Sequence, residues 1–183
     1  MEFIFDVNYH ASICREICLY LDQFPNKEEG GCLTGEKLFP KEDIIEIHMD
    51  NFYPVKNNLE AWEIDPEELL SRGLPEEDYG YFPDPNEVFK IRDPIWPSNE
   101  ESKIRMLGFA HSHMSFLPNP SHWDLERVSR TEGYLMPIYS NRTKELKIWY
   151  VIKNTKQEEE AWQLKKLKSL AQVELAAIYV HKL

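Results

Sequence analysis

No stretch of this chain approaches the roughly 20 consecutive apolar residues that a membrane-spanning helix needs, and residues 1–10 lack the basic start and apolar centre of a secretory signal. The expectation is a cytoplasmic protein with no membrane partner. Positive charge is also scarce: 21 Lys and Arg face 32 Asp and Glu, for a formal net charge of -11 and a pI near 5.0. Nucleic-acid binders gain most of their affinity from clustered Lys and Arg, so this balance argues against nucleic acid and for a partner with a basic face. Three cysteines do not make a disulfide framework. Cys14 and Cys18, one helical turn apart, read instead as small apolar core residues in a reducing compartment. Also missing are a helix-borne His-Glu-x-x-His, a Gly-rich phosphate loop and a Ser nucleophile elbow, which sets aside three large enzyme classes. There is no internal repeat and no low-complexity tract.

What remains is a chain of 183 residues, 42% hydrophobic and 13% aromatic, suited to a single globular domain over 1–183 with a real core. From Asn8 to about Leu21, the residues Ile13, Cys14, Ile17, Cys18 and Leu21 recur at helical spacing and Pro25 follows, which predicts an amphipathic first helix. Gly30–Gly35, Ile44–Met49 and Ala61–Ile64 read as strands, and Asp65-Pro66 opens a short helix. Ile104–Ala110 reads as a strand leading into His111, and a helix is expected from Ser121 to about Arg130. Tyr134–Tyr139 and Leu146–Ile152 read as strands joined at Asn141-Arg142-Thr143. Leu164, Leu167, Ala171, Leu175 and Ile178 form an apolar stripe that predicts a C-terminal helix.

Residues 65–102 differ in character. They hold six of the twelve prolines and eleven acidic against three basic residues. Tyr79, Tyr81, Phe82, Phe89 and Trp96 lie among them, which a disordered linker would lack. The expectation is a long acidic insertion folded against the body.

The chemistry concentrates between His111 and Asp124. Two histidines two positions apart at the end of a strand project from one face, so both imidazoles can reach one ion. A turn holding Pro118 and Pro120 reverses the chain, and the first turn of the next helix carries Asp124 as a third ligand. Two neutral nitrogens and a carboxylate leave a fourth position for water, the arrangement of a catalytic zinc. Such a zinc lowers the pKa of its water and polarises a carbonyl, and a carboxylate that does not bind the metal serves as the base. Ser121-x-x-Asp124 is at the same time the pattern of a capping box. His10, His48, His122 and His181 read as solvated or structural, with His122 able to support a ligand, and Cys32 sits in an apolar run where burial would raise its thiol pKa.

The pattern His-x-His, seven residues, Ser, two residues, Asp, filled here by His111, His113, Ser121 and Asp124, resembles the signature of the JAMM (MPN-plus, JAB domain) zinc metalloproteases. In Glu28-Glu29-Gly30-Gly31, Glu28 matches the position of that family's catalytic Glu, with Glu29 as its competitor. Asn51 and the run Ile64-Asp65-Pro66-Glu67 also resemble the family pattern, so the likeness reaches from the first helix to about Ile152. It implies an α/β, cytidine-deaminase-like fold with a mixed, curved sheet flanked by the first, post-motif and C-terminal helices. It further implies one catalytic zinc on His111, His113 and Asp124, Glu28 as general acid/base, and Ser121 stabilising the oxyanion. Met114 stands where many members have Pro after the second His, a departure that bears on the local loop and on substrate preference.

The activity implied is hydrolysis of the amide or isopeptide bond after the C-terminus of a ubiquitin-like protein, with that protein or its conjugate as partner beside activating and conjugating enzymes. Insertions just before the His-x-His strand contact the distal ubiquitin-like domain in such enzymes, and 65–102 occupies a similar place. Without accessory domains or a second, cysteine-bearing insertion, the chain resembles stand-alone bacterial or phage members, some tied to antiphage defence. Processing of a sulfur carrier is the alternative peptidase reading. A non-catalytic MPN scaffold, which would have lost ligands, and a non-peptidase use of the zinc are the competing classes.

Overall fold

The chain opens on a short strand, β1 (Glu2–Ile4), and a helix, α1 (Val7–Leu21), in a computed structural model that describes residues 2–4, 7–41, 44–58, 80–95, 105–121, 124, 134–154 and 173–182. Helical periodicity sorts the side chains of α1: Cys14, Ile17, Cys18 and Leu21 are fully buried, while Leu19 is half exposed. The helix closes by tightening. The amides of Gln23 and Phe24 donate to carbonyls three residues back, at Tyr20 and Leu21, and Pro25 has no N–H with which to continue.

The remaining strands are β2 (Gly30–Lys41), β3 (Ile44–Val55), β4 (Arg105–His113), β5 (Leu135–Ser140), β6 (Glu145–Asn154) and β7 (Val173–Lys182). All seven form one mixed sheet in the order β1-β3-β2-β4-β5-β6-β7, so the protein is mixed α/β. β1 pairs with β3, and β4 with β5, in parallel; the other neighbours are antiparallel. A parallel step cannot be closed by a tight hairpin and needs a crossover connection. The crossover from β4 to β5 is the segment that carries Ser121 and Asp124, which places them over the C-terminal end of β4.

Strand alternation divides the sheet into two faces. On one, Leu33, Ile45, Ile47, Met49, Leu135, Tyr139, Leu146 and Ile148 pack with the buried stripe of α1 in the main core. On the other, Met136, Ile138 and Val151 form a smaller cluster with Tyr134 and Trp149. The register His111↔Ile138 puts the metal-motif histidines on this second face. Tight strand contact at the centre depends on glycine: a Cβ on Gly108 would lie 1.8 Å from the carbonyl oxygen of Leu135.

Several expectations meet the structure directly. The first helix, the strands around Gly30–Gly35 and Ile44–Met49, and the β5–β6 hairpin are present, with β2, β3 and β6 longer than expected and β5 shifted by one residue. β4 extends through both histidines. The C-terminal helix is corrected: Leu175 and Ile178 lie on β7, paired along the length of β6. Val173–Lys182 is rich in Val, Ile and Tyr, and the open edge of β6 offers a full ladder of backbone hydrogen bonds, so pairing outweighs the helical spacing of the stripe. Leu164, Leu167, Ala171, the Ala61–Ile64 run, the Asp65-Pro66 helix start and most of the helix after Ser121 lie outside the described residues.

Within the insertion, a helix not foreseen from the sequence, α2 (Pro85–Ile95), is described. Its start is well capped. Asp84 Oδ1 accepts the amides of Asn86 (2.8 Å) and Glu87 (3.4 Å), and Pro85 occupies the first helical position, where a missing N–H costs nothing.

Candidate metal centre

β4 delivers two imidazoles to one point. His111 and His113 point from the same side of the strand, and their Nε2 atoms lie 3.0 Å apart. Asp124, helical, completes the group: its Oδ1 is 3.0 Å from His111 Nε2 and its Oδ2 is 3.1 Å from His113 Nε2. All three side chains are buried, and one donor atom from each falls within 4.8 Å of the others. A tetrahedral ion with ligand bonds of roughly 2.0–2.1 Å separates its ligand atoms by roughly 3.3 Å, so the observed spacings suit one small ion. The chemistry agrees: two imidazole nitrogens facing each other and a carboxylate, away from solvent, need a shared cation or protons to lie so close.

The electrostatics reflect that crowding. Burial works against ionisation of Asp124, but the two imidazoles outweigh it and hold the carboxyl well below the usual range. Burial also works against a charge on His113, yet its bond to Asp124 and the negative charge of Glu28 prevail, and the pKa is raised above its ordinary value.

The support around the triad is explicit. Ser121 donates to Asp124 Oδ2 through both its backbone amide and its hydroxyl, each at 2.7 Å, and its Oγ accepts the Asp124 amide at 3.2 Å. The capping box is therefore formed, and it orients the ligand carboxylate. The loop after His113 is pinned to the sheet, with Trp149 Nε1 donating to the Pro118 carbonyl (2.9 Å) and Ser140 Oγ to that of Ser115 (2.7 Å). Tyr81, 1% exposed, lays its ring parallel to His111 at 5.9 Å between centroids and donates its hydroxyl to the Val55 carbonyl at 2.9 Å. Gly30 makes room for that ring, since a Cβ there would lie 2.6 Å from it.

Glu28 and Glu29 separate clearly. The Glu29 carboxylate is held by Lys27 Nζ and by the Asn57 backbone amide (3.2 Å). Glu28, also buried, is the one whose charge acts on His113. Their backbone is fixed on two sides: Glu29 exchanges bonds with Ser112, amide to Oγ at 3.1 Å and carbonyl to amide at 2.9 Å, while the Glu28 carbonyl accepts Asn57 Nδ2 at 3.0 Å.

Sequence reasoning thus named the residues that converge, but missed Ser112, Asn57 and Tyr81. Ser112 could have been suspected, because the residue between two same-face ligands must face the other way and meet the neighbouring strand. Nothing local marks Asn57 or Tyr81. Asn51 is exposed on β3, opposite Thr34. His10 is a satisfied core residue, His181 lies on β7 opposite Leu146, and His122 is outside the described residues. Cys14, Cys18 and Cys32 are free and buried, and burial pushes each thiol up to about 12, which keeps them protonated and poorly nucleophilic near neutral pH. No described helix is long and apolar enough to cross a membrane.

No protein-family model matches this chain, and no curated protein matches it. Solved structures do. Protein DSY2949 from Desulfitobacterium hafniense, known from its solution structure, is 18% identical with a TM-score of 0.52, over 84% of this chain and 86% of that one. AF2198, a JAB1/MPN domain protein from Archaeoglobus fulgidus, is 14% identical over 74% of this chain and 85% of that one, with a TM-score of 0.34, too low to establish a shared fold. The first likeness is one of fold, and the capacity to hold a metal rests on His111, His113 and Asp124 themselves.

Proposed function

We propose that this chain is a single-domain, zinc-dependent peptidase of the JAMM type, cleaving the amide or isopeptide bond after the C-terminus of a ubiquitin-like protein. One observation carries the reading: His111, His113 and Asp124 of the motif close into a buried three-ligand group braced by Ser121, while the Glu29 carboxylate is held by Lys27 and the Asn57 backbone amide. When bound, zinc lowers the pKa of a water and polarises the scissile carbonyl. His111, His113 and Asp124 hold the ion, and Ser121 and Tyr81 fix the orientation of Asp124 and His111. Glu28 takes the proton of the attacking water and delivers it to the leaving amine, which its burial beside His113 suits. For the Ser121 hydroxyl to donate to the carbonyl oxygen as negative charge develops there, its single proton turns from Asp124 Oδ2, and the Ser121 backbone amide alone then holds that carboxylate oxygen. The acidic insertion engages a basic face of the ubiquitin-like partner, in a reducing compartment, as part of a bacterial or phage conjugation or defence system.

Metal analysis combined with cleavage of a ubiquitin-like protein extended by an amide-linked reporter tests this. Glu28→Gln is expected to retain one metal per chain and to lower turnover by about 10²–10⁴-fold, the range of a general acid/base. A metal-free protein indifferent to chelators, or full turnover by Glu28→Gln, would sink the assignment.

A further inference from the structure

The side chain of Asn57 is engaged on both its nitrogen and its oxygen, and its bonds go to two segments far apart in sequence. Nδ2 donates to the carbonyls of Glu28 and Gly80, both at 3.0 Å, and Oδ1 accepts the Phe82 amide at 2.9 Å. Its own amide donates to Glu29 Oε2. Around it, the Asn58 amide donates to the Phe82 carbonyl (2.8 Å) and the Asp84 amide to the Lys56 carbonyl (2.9 Å), so Gly80–Asp84 lies along the end of β3. Between Gly80 and Phe82 stands Tyr81, whose ring lies against His111. One carboxamide therefore joins the backbone of Glu28 to the stretch of the acidic insertion that covers a metal-motif histidine.

We infer that Asn57 is a positioning residue for Glu28, coupling the seating of the acidic insertion to the reach of the Glu28 carboxylate. This rests on the reading of Glu28 as the proton carrier. An amide is the right group for the task because it offers two donors and an acceptor at one point. An aspartate there could accept from Phe82 but could donate to neither carbonyl. Displacement of a reacting group by about 1 Å costs on the order of 100-fold in rate, so a lost tether at the Glu28 carbonyl acts on turnover far more than on substrate affinity.

The test uses the metal-loaded full chain and two readouts. In hydrogen–deuterium exchange, Asn57→Ala is expected to speed exchange around residues 28–30 and at 80–82 while the β5–β6 hairpin is unchanged. In the cleavage assay it is expected to keep its metal and lower kcat by about ten- to a hundred-fold, with KM shifted less than about threefold. Combined with Glu28→Gln it is expected to add no further loss, since it acts through the group already removed. Full additivity with Glu28→Gln, or faster exchange at one of the two segments only, overturns the inference. Should Asn57→Ala fail to fold, Asn57→Asp takes its place, with faster exchange expected around 28–30 and the Phe82 amide still protected; unchanged exchange around 28–30 overturns it. If Glu28→Gln alone leaves turnover intact, the peptidase reading falls, and the exchange data decide separately whether Asn57 ties the two segments.

Discussion

Two buried histidines on opposite faces of the sheet are satisfied in different ways. His10, on α1, places Nε2 2.8 Å from the Ile47 carbonyl and accepts the Met49 amide on Nδ1 at 3.3 Å, so it is a neutral imidazole stitching helix to strand. His111, on β4, turns its Nε2 toward another imidazole nitrogen and a carboxylate. The first arrangement closes on backbone groups that the sheet already supplies. The second brings together groups that need a cation or shared protons among them. Burial alone therefore does not mark a functional histidine; what its nitrogen faces does.

The largest effect that could break this contrast is on metal binding. His111→Ala is expected to weaken metal affinity beyond the roughly 10–100-fold that loss of a supporting partner produces, with little loss of fold. His10→Ala is expected to keep the metal and lose about 1–3 kcal/mol of stability, from two backbone groups left unpaired in the core. Metal titration and thermal melts on both variants check this, and metal loss in His10→Ala would erase the distinction.

Ser121→Ala comes next. It removes a bond to Asp124 Oδ2 and the acceptor for the Asp124 amide, so metal affinity should fall about 10–100-fold and stability by about 1 kcal/mol. An unchanged affinity would mean that the capping box is merely structural.

A smaller effect separates the metal-free and metal-loaded states by pH. In the metal-free protein the His113 pKa is raised above 6.5, so its stabilising contribution is fully present below about pH 6.5 and is lost as pH climbs through the raised value. Asp124 is depressed well below 3.8, so its contribution is present above about pH 3.8 and is lost only as strong acid reaches the folded value. The melting temperature of chelator-treated protein should thus decline as pH rises above 6.5. The metal-loaded protein should gain over the same range, because metal competes with protons for the imidazoles. Parallel curves would contradict the ligand assignment. Cys32→Ala, the smallest change, should leave metal content and its pH dependence untouched.

Much of this was legible beforehand because it depends on short-range pattern. The stripe Ile13, Cys14, Ile17, Cys18, Leu21 dictates α1, and two β-prone runs on either side of the turn at Asn141-Arg142-Thr143 dictate a hairpin. The metal group was legible because strand geometry converts a two-residue spacing into a shared face. β1 was missed because three residues paired in parallel to β3 carry too little pattern. The C-terminal stripe misled because Leu175 and Ile178 fit a helix locally, while β6 supplied a long-range partner that no window of sequence displays.

The sequence by itself determined which atoms could hold a metal: two imidazoles on one strand face and a carboxylate opening the crossover after it, positions fixed by a few residues of backbone geometry. Only the tertiary structure distinguishes the surroundings of Glu28 and Glu29, since Lys27 and the Asn57 backbone amide hold the Glu29 carboxylate. Tertiary structure likewise brought Asn57 and Tyr81 to the site, because hydrogen bonds and ring contacts between segments some 25 or more residues apart depend on how the chain packs and not on any local pattern.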